Sequence, residues 1–225
     1  MCTLSLWALL KGIVMALLRR GASVLALVML TGLPVGAVAS RALAAPEPEV
    51  IPNRWEVRST FSPIRVVTVE TPAGPTAYYY MTYTAQNNAG QDVLFAPTFD
   101  MVTDDGQVIR SGKGVNAEAT KAVMAAANNA ELQDQIAIIG PLLQGEENAK
   151  AGIAIWTAEN LRPGEFTVYA AGFSGESVTV KPPTPKDAEG VVLRKTRSLT
   201  YKAIGDAANL KGGSIPVTED RWVMR

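Results

Sequence analysis

Most of the side chains that carry enzyme chemistry are missing from this sequence. It contains no histidine, and its single cysteine is Cys2. Histidine is the commonest general base and metal ligand, and cysteine supplies thiolate nucleophiles and soft metal ligands. Beyond residue 2, zinc, copper, haem and thiol chemistry therefore have no plausible ligands or nucleophile, and a serine triad based on histidine is excluded. The sequence predicts no cofactor.

The chemistry that remains is that of oxygen atoms, as in a carboxylate-pair hydrolase or a calcium site. The acids considered for it are Asp100, Asp104, Asp105, Glu146 and Glu147. The best local candidate, Asp104-Asp105-Gly106, is also what a hairpin turn requires, and we interpret it as a turn. The segment around Glu146 is typical of a solvated loop. We assign no residue a catalytic, cofactor-binding or metal-binding role.

Three consecutive tyrosines, Tyr78, Tyr79 and Tyr80, offer a second kind of chemistry. In a strand Tyr78 and Tyr80 share one side, so they could form an aromatic binding face. Packing in the core or against neighbouring strands is the better interpretation, because tyrosine is typical of buried sheet positions.

The first 44 residues have the pattern of an export signal. Two arginines, Arg19-Arg20, precede an apolar run over 21–33 that has the length of a signal-peptide core. Small residues then follow at signal-peptidase spacing, in Ala37-Val38-Ala39 and again in Ala42-Leu43-Ala44. The sequence predicts a signal peptide over 1–44, cut after 39 or 44.

The alternative for this segment is an uncleaved anchor, since 21–39 is just long enough to span a bilayer. We favour cleavage, and expect a periplasmic or secreted protein with no membrane span in its mature form. A cut after Ala39 leaves 18 positive and 21 negative residues, a net charge of −3. A weakly acidic protein lacks the positive surface that binds nucleic acid, so we expect no nucleic-acid partner.

The mature chain divides according to its residue pattern. Residues 45–60 predict an extended leader, because three prolines oppose both a helix and a central strand. From 61 to 205, polar and apolar residues mostly alternate, and turn signals separate short strands without a β–α–β rhythm. This pattern predicts a mainly β fold, an antiparallel sandwich. Residues 206–225 are assigned to a C-terminal tail.

One segment, 112–150, interrupts the alternation. It opens with an alanine-rich helix candidate over 116–128, in which Asn116 can cap the first turn and Glu118 suits its dipole. Because the segment is far longer than ordinary sandwich connections, we interpret it as an insertion containing a helix and expect any partner surface there. The open alternative is that the isoleucines within 136–139 form a core strand.

A resemblance rests on two adjoining passages, Tyr83-Thr-Ala-Gln-Asn-Asn-Ala-Gly-Gln-Asp-Val-Leu-Phe95 and Phe99-Asp-Met-Val-Thr-Asp-Asp-Gly106. They resemble the opening strands of bacterial exported immunoglobulin-like domains of unknown function, where an Asn-rich turn follows one strand and an Asp-Gly hairpin follows the next. The turn Arg162-Pro-Gly-Glu165 resembles a later turn of such domains. The resemblance implies an immunoglobulin-like sandwich and a location outside the cytoplasm, and implies no activity.

These observations favour an exported, non-catalytic binding or structural module of the bacterial cell envelope, with an unknown envelope protein or glycan as its partner. The alternative is a carboxylate-dependent hydrolase acting on envelope or extracellular carbohydrate. A convergent pair of acids in a cleft lined by Trp156 or tyrosines would support the hydrolase. A flat polar surface with dispersed acids would support the binding module.

Overall fold

This computed structural model describes residues 46–72, 74–158, 164–181, 190–203 and 213–225. The predicted signal peptide over 1–44 lies outside the described residues, as do Arg162 and Pro163 of the predicted turn. The described part contains one helix and fourteen strands. Their bounds are β1 Val57–Phe61, β2 Ile64–Thr71, β3 Gly74–Asn87, β4 Val93–Phe95, β5 Thr98–Thr103, β6 Val108–Arg110, α1 Ala117–Ala127, β7 Leu132–Gln133, β8 Gly140–Leu142, β9 Gly145–Thr157, β10 Glu165–Ala171, β11 Ser177–Val180, β12 Val191–Lys202, β13 Ser214–Ile215 and β14 Val217–Met224.

The strands form two large sheets and one small one. Sheet A has the order β13-β2-β3-β9-β7, and β1 pairs with the C-terminal half of β3. Sheet B has the order β11-β12-β10-β5-β6, and β14 pairs with β12. The small sheet joins β4 to β8. Pairing is antiparallel except between β7 and β9, so the mainly β, antiparallel sandwich that the sequence predicts is confirmed.

Sheets A and B pack face to face around an aromatic core. Tyr83 of β3 lies with its ring 4.7 Å from that of Phe99 on β5, and Tyr201 of β12 donates its hydroxyl to Met81 Sδ at 3.0 Å. The core also contains the fully buried Trp156 of β9. Period-two alternation explains this packing, because alternate side chains of each strand point to the same face.

The other face of sheet A is covered by the helix. Tyr78 and Tyr80 alternate with the core-facing residues of β3 and are buried with Ala119 and Val123 of α1. They therefore pack in a second core layer, as the packing interpretation of the three tyrosines predicts. The helix begins as predicted, since the Asn116 side chain accepts a hydrogen bond from the Ala119 N–H at 2.7 Å.

The predicted insertion is part of the fold and not an appendage. Its helix is confirmed at Ala117–Ala127, but Ile138 and Leu142, which follow the helix, are fully buried in the sandwich core. The segment's last residues already belong to β9. Of the two interpretations weighed for the isoleucines, core burial holds for Ile138, although it lies in a turn and not in a strand.

Two boundaries from the sequence are corrected. The predicted leader over 45–60 contains most of β1, which pairs with β3 because apolar alternation resumes after the last leader proline. The described part of the predicted tail, 213–225, contains β13 and β14, and β14 pairs with β12 along most of its length. Its residues show no period-two burial, which is why the pattern predicted a tail.

Candidate functional site

The best local candidate from the sequence, Asp104-Asp105-Gly106, forms the turn between β5 and β6. The Asp105 carboxylate accepts hydrogen bonds from the Thr103 hydroxyl and from Gln107 Nε2. The hydrogen bond from Thr103 is the main reason that the pKa of Asp105 lies below its ordinary value. The carboxylate is therefore engaged in stabilising the turn, as the hairpin interpretation predicts.

The other oxygen candidates lie apart on the two sheets. Asp100 of β5 forms ion pairs with Arg110 at 3.0 Å and with Arg225 at 3.7 Å. Glu146 and Glu147 are exposed, as the sequence predicts, but they lie at the start of β9 in sheet A and not in a loop. Among the described residues, no group of three histidine, cysteine, aspartate or glutamate side chains is placed to hold a metal ion.

The structure instead gathers charge around Lys195, a residue of β12 that is not among the candidates predicted from the sequence. Its side chain is only 2% exposed, and its Nζ lies 3.0 Å from Glu56 Oε2 and 3.1 Å from Glu176 Oε2. Glu176 is also buried, at 7% exposure, and Glu56 is partly buried. A buried charge requires a partner of opposite sign, and here two carboxylates share one ammonium group.

Lys195 and Glu176 also hold the main chain of the N-terminal segment. Lys195 Nζ donates a hydrogen bond to the Glu49 carbonyl at 3.1 Å, and the Glu49 N–H donates to Glu176 Oε1 at 2.9 Å. Both polar groups of residue 49 are therefore bound by this one ion pair. We call residues 46–54 the arm, and the contacts made by Lys195, Glu176 and Glu56 the clamp.

The clamp keeps both of its buried partners charged. Burial raises the pKa of Glu176, but the hydrogen bond from Glu49 and the positive charge of Lys195 outweigh it, and the pKa lies below the ordinary 4.5. Burial lowers the pKa of Lys195, but its pairs with Glu56 and Glu176 outweigh it, and the pKa lies above the ordinary 10.5. Charge pairing therefore dominates over desolvation at both groups.

Chain pairing just after the arm explains how Glu56 reaches Lys195. The Gly175 N–H donates to the Trp55 carbonyl at 2.9 Å, the Val57 N–H donates to the Phe173 carbonyl at 2.8 Å, and Glu56 bridges antiparallel to Ser174. The indole of Trp55 packs so closely over Gly175 that any side chain at 175 would collide with it. This short ladder joins the start of sheet A to the loop that precedes Glu176.

An open cavity of about 590 Å³ lies between the arm and the last strand. On the strand side, the Trp222 ring lies 5.3 Å from Lys195 Nζ and 5.0 Å from Arg197 Cζ, both within cation–π range. Arg197 also pairs with Asp220 of β14. The cavity is lined by Pro46, Glu47, Pro48, Glu49, Val50, Glu56, Lys195, Arg221, Trp222 and Val223.

The clamp resembles a carboxylate pair only at first sight. Glycoside hydrolysis needs one carboxyl group that is protonated at working pH, which requires a raised pKa. Glu176 has the opposite property, because Lys195 and the Glu49 N–H hold it ionised. Lys195 is likewise kept as a cation and is no nucleophile. The geometry suits binding of a polypeptide main chain better than acid–base catalysis.

A second unusual surface lies on the small sheet, in and beside the predicted insertion. Leu94 of β4 pairs with Pro141 of β8, and both are exposed, as are Ile139 and Leu143, which flank β8. Leu94 is 71% exposed, and Ile139 and Leu143 are about half exposed. We call these four residues the apolar patch. Contiguous exposed apolar side chains are typical of interaction sites.

The sequence did contain one signal for the clamp. On β12, Lys195 has the same parity as Leu199 and Tyr201, which are buried in the sandwich core. A charged residue at a core-facing position of a strand is rare unless it is paired, so it predicts a buried partner. Nothing local identified that partner, because the two carboxylates, Glu56 and Glu176, lie outside β12.

Comparisons with known proteins add no relatives: no family model, curated protein or solved structure matches this chain. The resemblance to exported immunoglobulin-like domains therefore stays a prediction. In the part of the chain that the structure describes, no helix is long and apolar enough to cross a membrane.

Proposed function

We propose that this protein is an exported, non-catalytic binding module of the bacterial cell envelope. The observation that carries the proposal is the apolar patch, where Leu94 and Pro141 of the small sheet and the flanking Ile139 and Leu143 are all exposed. Full burial of a leucine or isoleucine side chain is worth about 1.5–3 kcal/mol, and a partner surface would recover the part of this that the exposed fraction of each side chain leaves in water. The aliphatic character of the patch favours a protein partner over a glycan, since sugar sites usually offer aromatic rings and polar groups.

Three residues of the patch, Ile139, Pro141 and Leu143, lie within 112–150, where the sequence predicted any partner surface, whereas Leu94 lies outside that segment. The clamp supports the non-catalytic part of the proposal, because both of its carboxylates are already paired with Lys195. The location outside the cytoplasm rests on the signal pattern in 1–44. It predicts a mature N-terminus at Ser40 or Ala45, which intact-mass analysis of the protein from its native host would test.

The binding test uses a photo-crosslinking amino acid placed at Leu94 or Leu143 in the native host. We expect discrete crosslinked species from both positions, and none from the same probe at Lys121, an exposed residue of α1 outside the patch. The substitution Ile139→Asp should weaken the crosslinks from position 94, because it places a charge inside the interface. Equal crosslinking from positions 94 and 121, or none from either patch position, would contradict the proposal.

A further inference from the structure

The clamp binds the arm through its main chain and not through its side chains. The Glu176 and Lys195 side chains form their hydrogen bonds with the N–H and carbonyl groups of Glu49. Main-chain recognition of this kind accepts any extended segment of the same shape. A second copy of the chain carries an identical segment, so its arm would make identical contacts.

The second half of the arm, residues 50–54, has the properties of a hinge. Residues 50–54 are all exposed, whereas Trp55 is fixed by its pairing with Gly175. Pro52 stiffens this stretch, which limits how comfortably the chain folds back on itself. Five residues reach at most about 18 Å when extended, so exchange requires the second copy's clamp to lie within that distance of Trp55. Short hinges under constraint favour the exchange of identical elements between copies.

Two apolar side chains mark the hinge. Val50 is 97% exposed and Ile51 is 81% exposed, the two highest values among the large apolar residues that the structure describes. In a two-fold dimer with exchanged arms, we expect the two hinges to cross near the axis, where Val50 and Ile51 of one copy can pack against those of the other. Exchange therefore keeps every clamp contact and adds apolar burial that the single chain lacks.

We propose that the arm is exchanged between two copies of this chain. Lys195 and Glu176 of one copy then bind the Glu49 main chain of a second copy, while Glu56 stays with its own Lys195 because it follows the hinge. Within one chain the arm's effective concentration is on the order of millimolar, so exchange becomes favourable at high protein concentration. This interaction is separate from the apolar patch, which lies on the small sheet.

The test uses two cysteines on opposite walls of the cavity, Glu47→Cys on the arm and Arg221→Cys on β14, in the full chain carrying Cys2→Ser. Unlabelled and ¹⁵N-labelled proteins are mixed in urea, refolded together at roughly 1 mM, the scale set by the arm's effective concentration, and treated with a short bis-maleimide. Mass spectrometry of the crosslinked peptides then distinguishes same-isotope from mixed-isotope pairs. Exchanged arms should give about half mixed pairs, as random two-fold pairing requires.

The matched control is Glu47→Cys with Lys121→Cys, which places the second cysteine on α1 and reports random collisions. Mixed-isotope pairs should be absent from this control. In the variant with Glu47→Cys and Arg221→Cys they should become rare when refolding takes place at about 1 µM, far below the effective concentration of the arm. Adding Glu176→Gln to the variant with Glu47→Cys and Arg221→Cys should also reduce the number of mixed-isotope pairs, because it removes the negative charge that binds the Glu49 N–H. Only same-isotope pairs at high concentration, or mixed pairs as frequent as in the control, would overturn the proposal.

Discussion

Two charge clusters in the part of the chain that the structure describes combine acidic and basic side chains in opposite surroundings. Asp100 pairs with Arg110 and Arg225 at the surface, where the Arg110 side chain is 66% exposed. Lys195 pairs with Glu56 and Glu176 in the interior, at 2% exposure. Water screens the first cluster, and few water molecules reach the second. The free energy lost when an ion pair is broken therefore depends on whether water can solvate the charge that remains. The number of ion pairs in a cluster does not determine it.

The largest effect is expected at the buried cluster. Lys195→Met keeps the unbranched apolar stem but removes the charge, so Glu176 loses its cation in a place where water cannot replace it. We expect a loss of about 3–5 kcal/mol in the free energy of unfolding, measured by urea denaturation. Lys202→Met at the exposed end of the same strand is the matched control, with an expected change within about 0.5 kcal/mol. Equal losses in both variants would show that burial does not distinguish these lysines.

The second effect is a pH dependence that belongs to the buried cluster. Because the folded pKa of Glu176 lies below 4.5, its contribution to stability is present above pH 4.5 and is lost as the pH falls through the lowered value. The stability difference between the unaltered protein and Glu176→Gln should therefore shrink on acidification from pH 7 to about pH 3. A constant difference across this range, measured by urea denaturation at each pH, would contradict the assignment.

On the alkaline side the sign is reversed. The folded pKa of Lys195 lies above 10.5, so its contribution is present below pH 10.5 and is lost as the pH rises through the raised value. Burial also raises the pKa of Tyr83 and of Tyr201, which lose their contributions in the same direction above pH 10. The acid side is therefore the cleaner test of the clamp.

A much smaller effect is expected at the exposed cluster. Arg110→Ala leaves Asp100 near the surface, with Arg225 still close and water able to solvate the carboxylate. The expected change in the free energy of unfolding is about 0–1 kcal/mol, and it should fall further when salt is added. Thermal denaturation at low and high salt checks this. A loss as large as that of Lys195→Met would remove the contrast between the two clusters.

No effect is expected from removing metal ions. No described group of three acidic side chains is placed to bind a cation, and Asp105 is engaged by Thr103 and Gln107. The melting temperature should therefore be unchanged by EDTA and by a reducing agent. A decrease in melting temperature with EDTA that calcium reverses would point first to a calcium site at Asp104 and Asp105. Exposed acids would then contribute to stability through a bound ion.

Local pattern was enough to predict the parts of this fold that depend on neighbours in sequence. The alternation along β3, the cap at Asn116 and the Asp-Gly turn all depend on residues within a few positions of each other, and all were predicted. The edge strand β14 was missed because four successive residues, Thr218 to Arg221, are exposed and leave no alternation to detect. Its pairing with β12 follows from the fold as a whole.

The clamp could not be predicted for a related reason. The Glu49–Glu176 and Lys195–Glu49 contacts join residues separated by 127 and 146 positions. No periodicity within a strand or helix encodes such a pairing, because it depends on how the sandwich brings the start of the described chain beside its last strands. From the sequence, only the lysine at a core-facing position could be recognised. Its carboxylate partners could be identified only from the fold.

The central strand β3 has a consequence for how the protein opens. Its residues 78–80 are hydrogen-bonded between β2 and β9, and residues 83–85 between β1 and β9. One of its faces lies in the aromatic core and part of the other lies beneath α1. No local fluctuation can expose such amides, so their exchange with deuterium requires the whole domain to unfold. The exchange rates of β3 thus report the global stability, while those of the arm report only the release of one clamp.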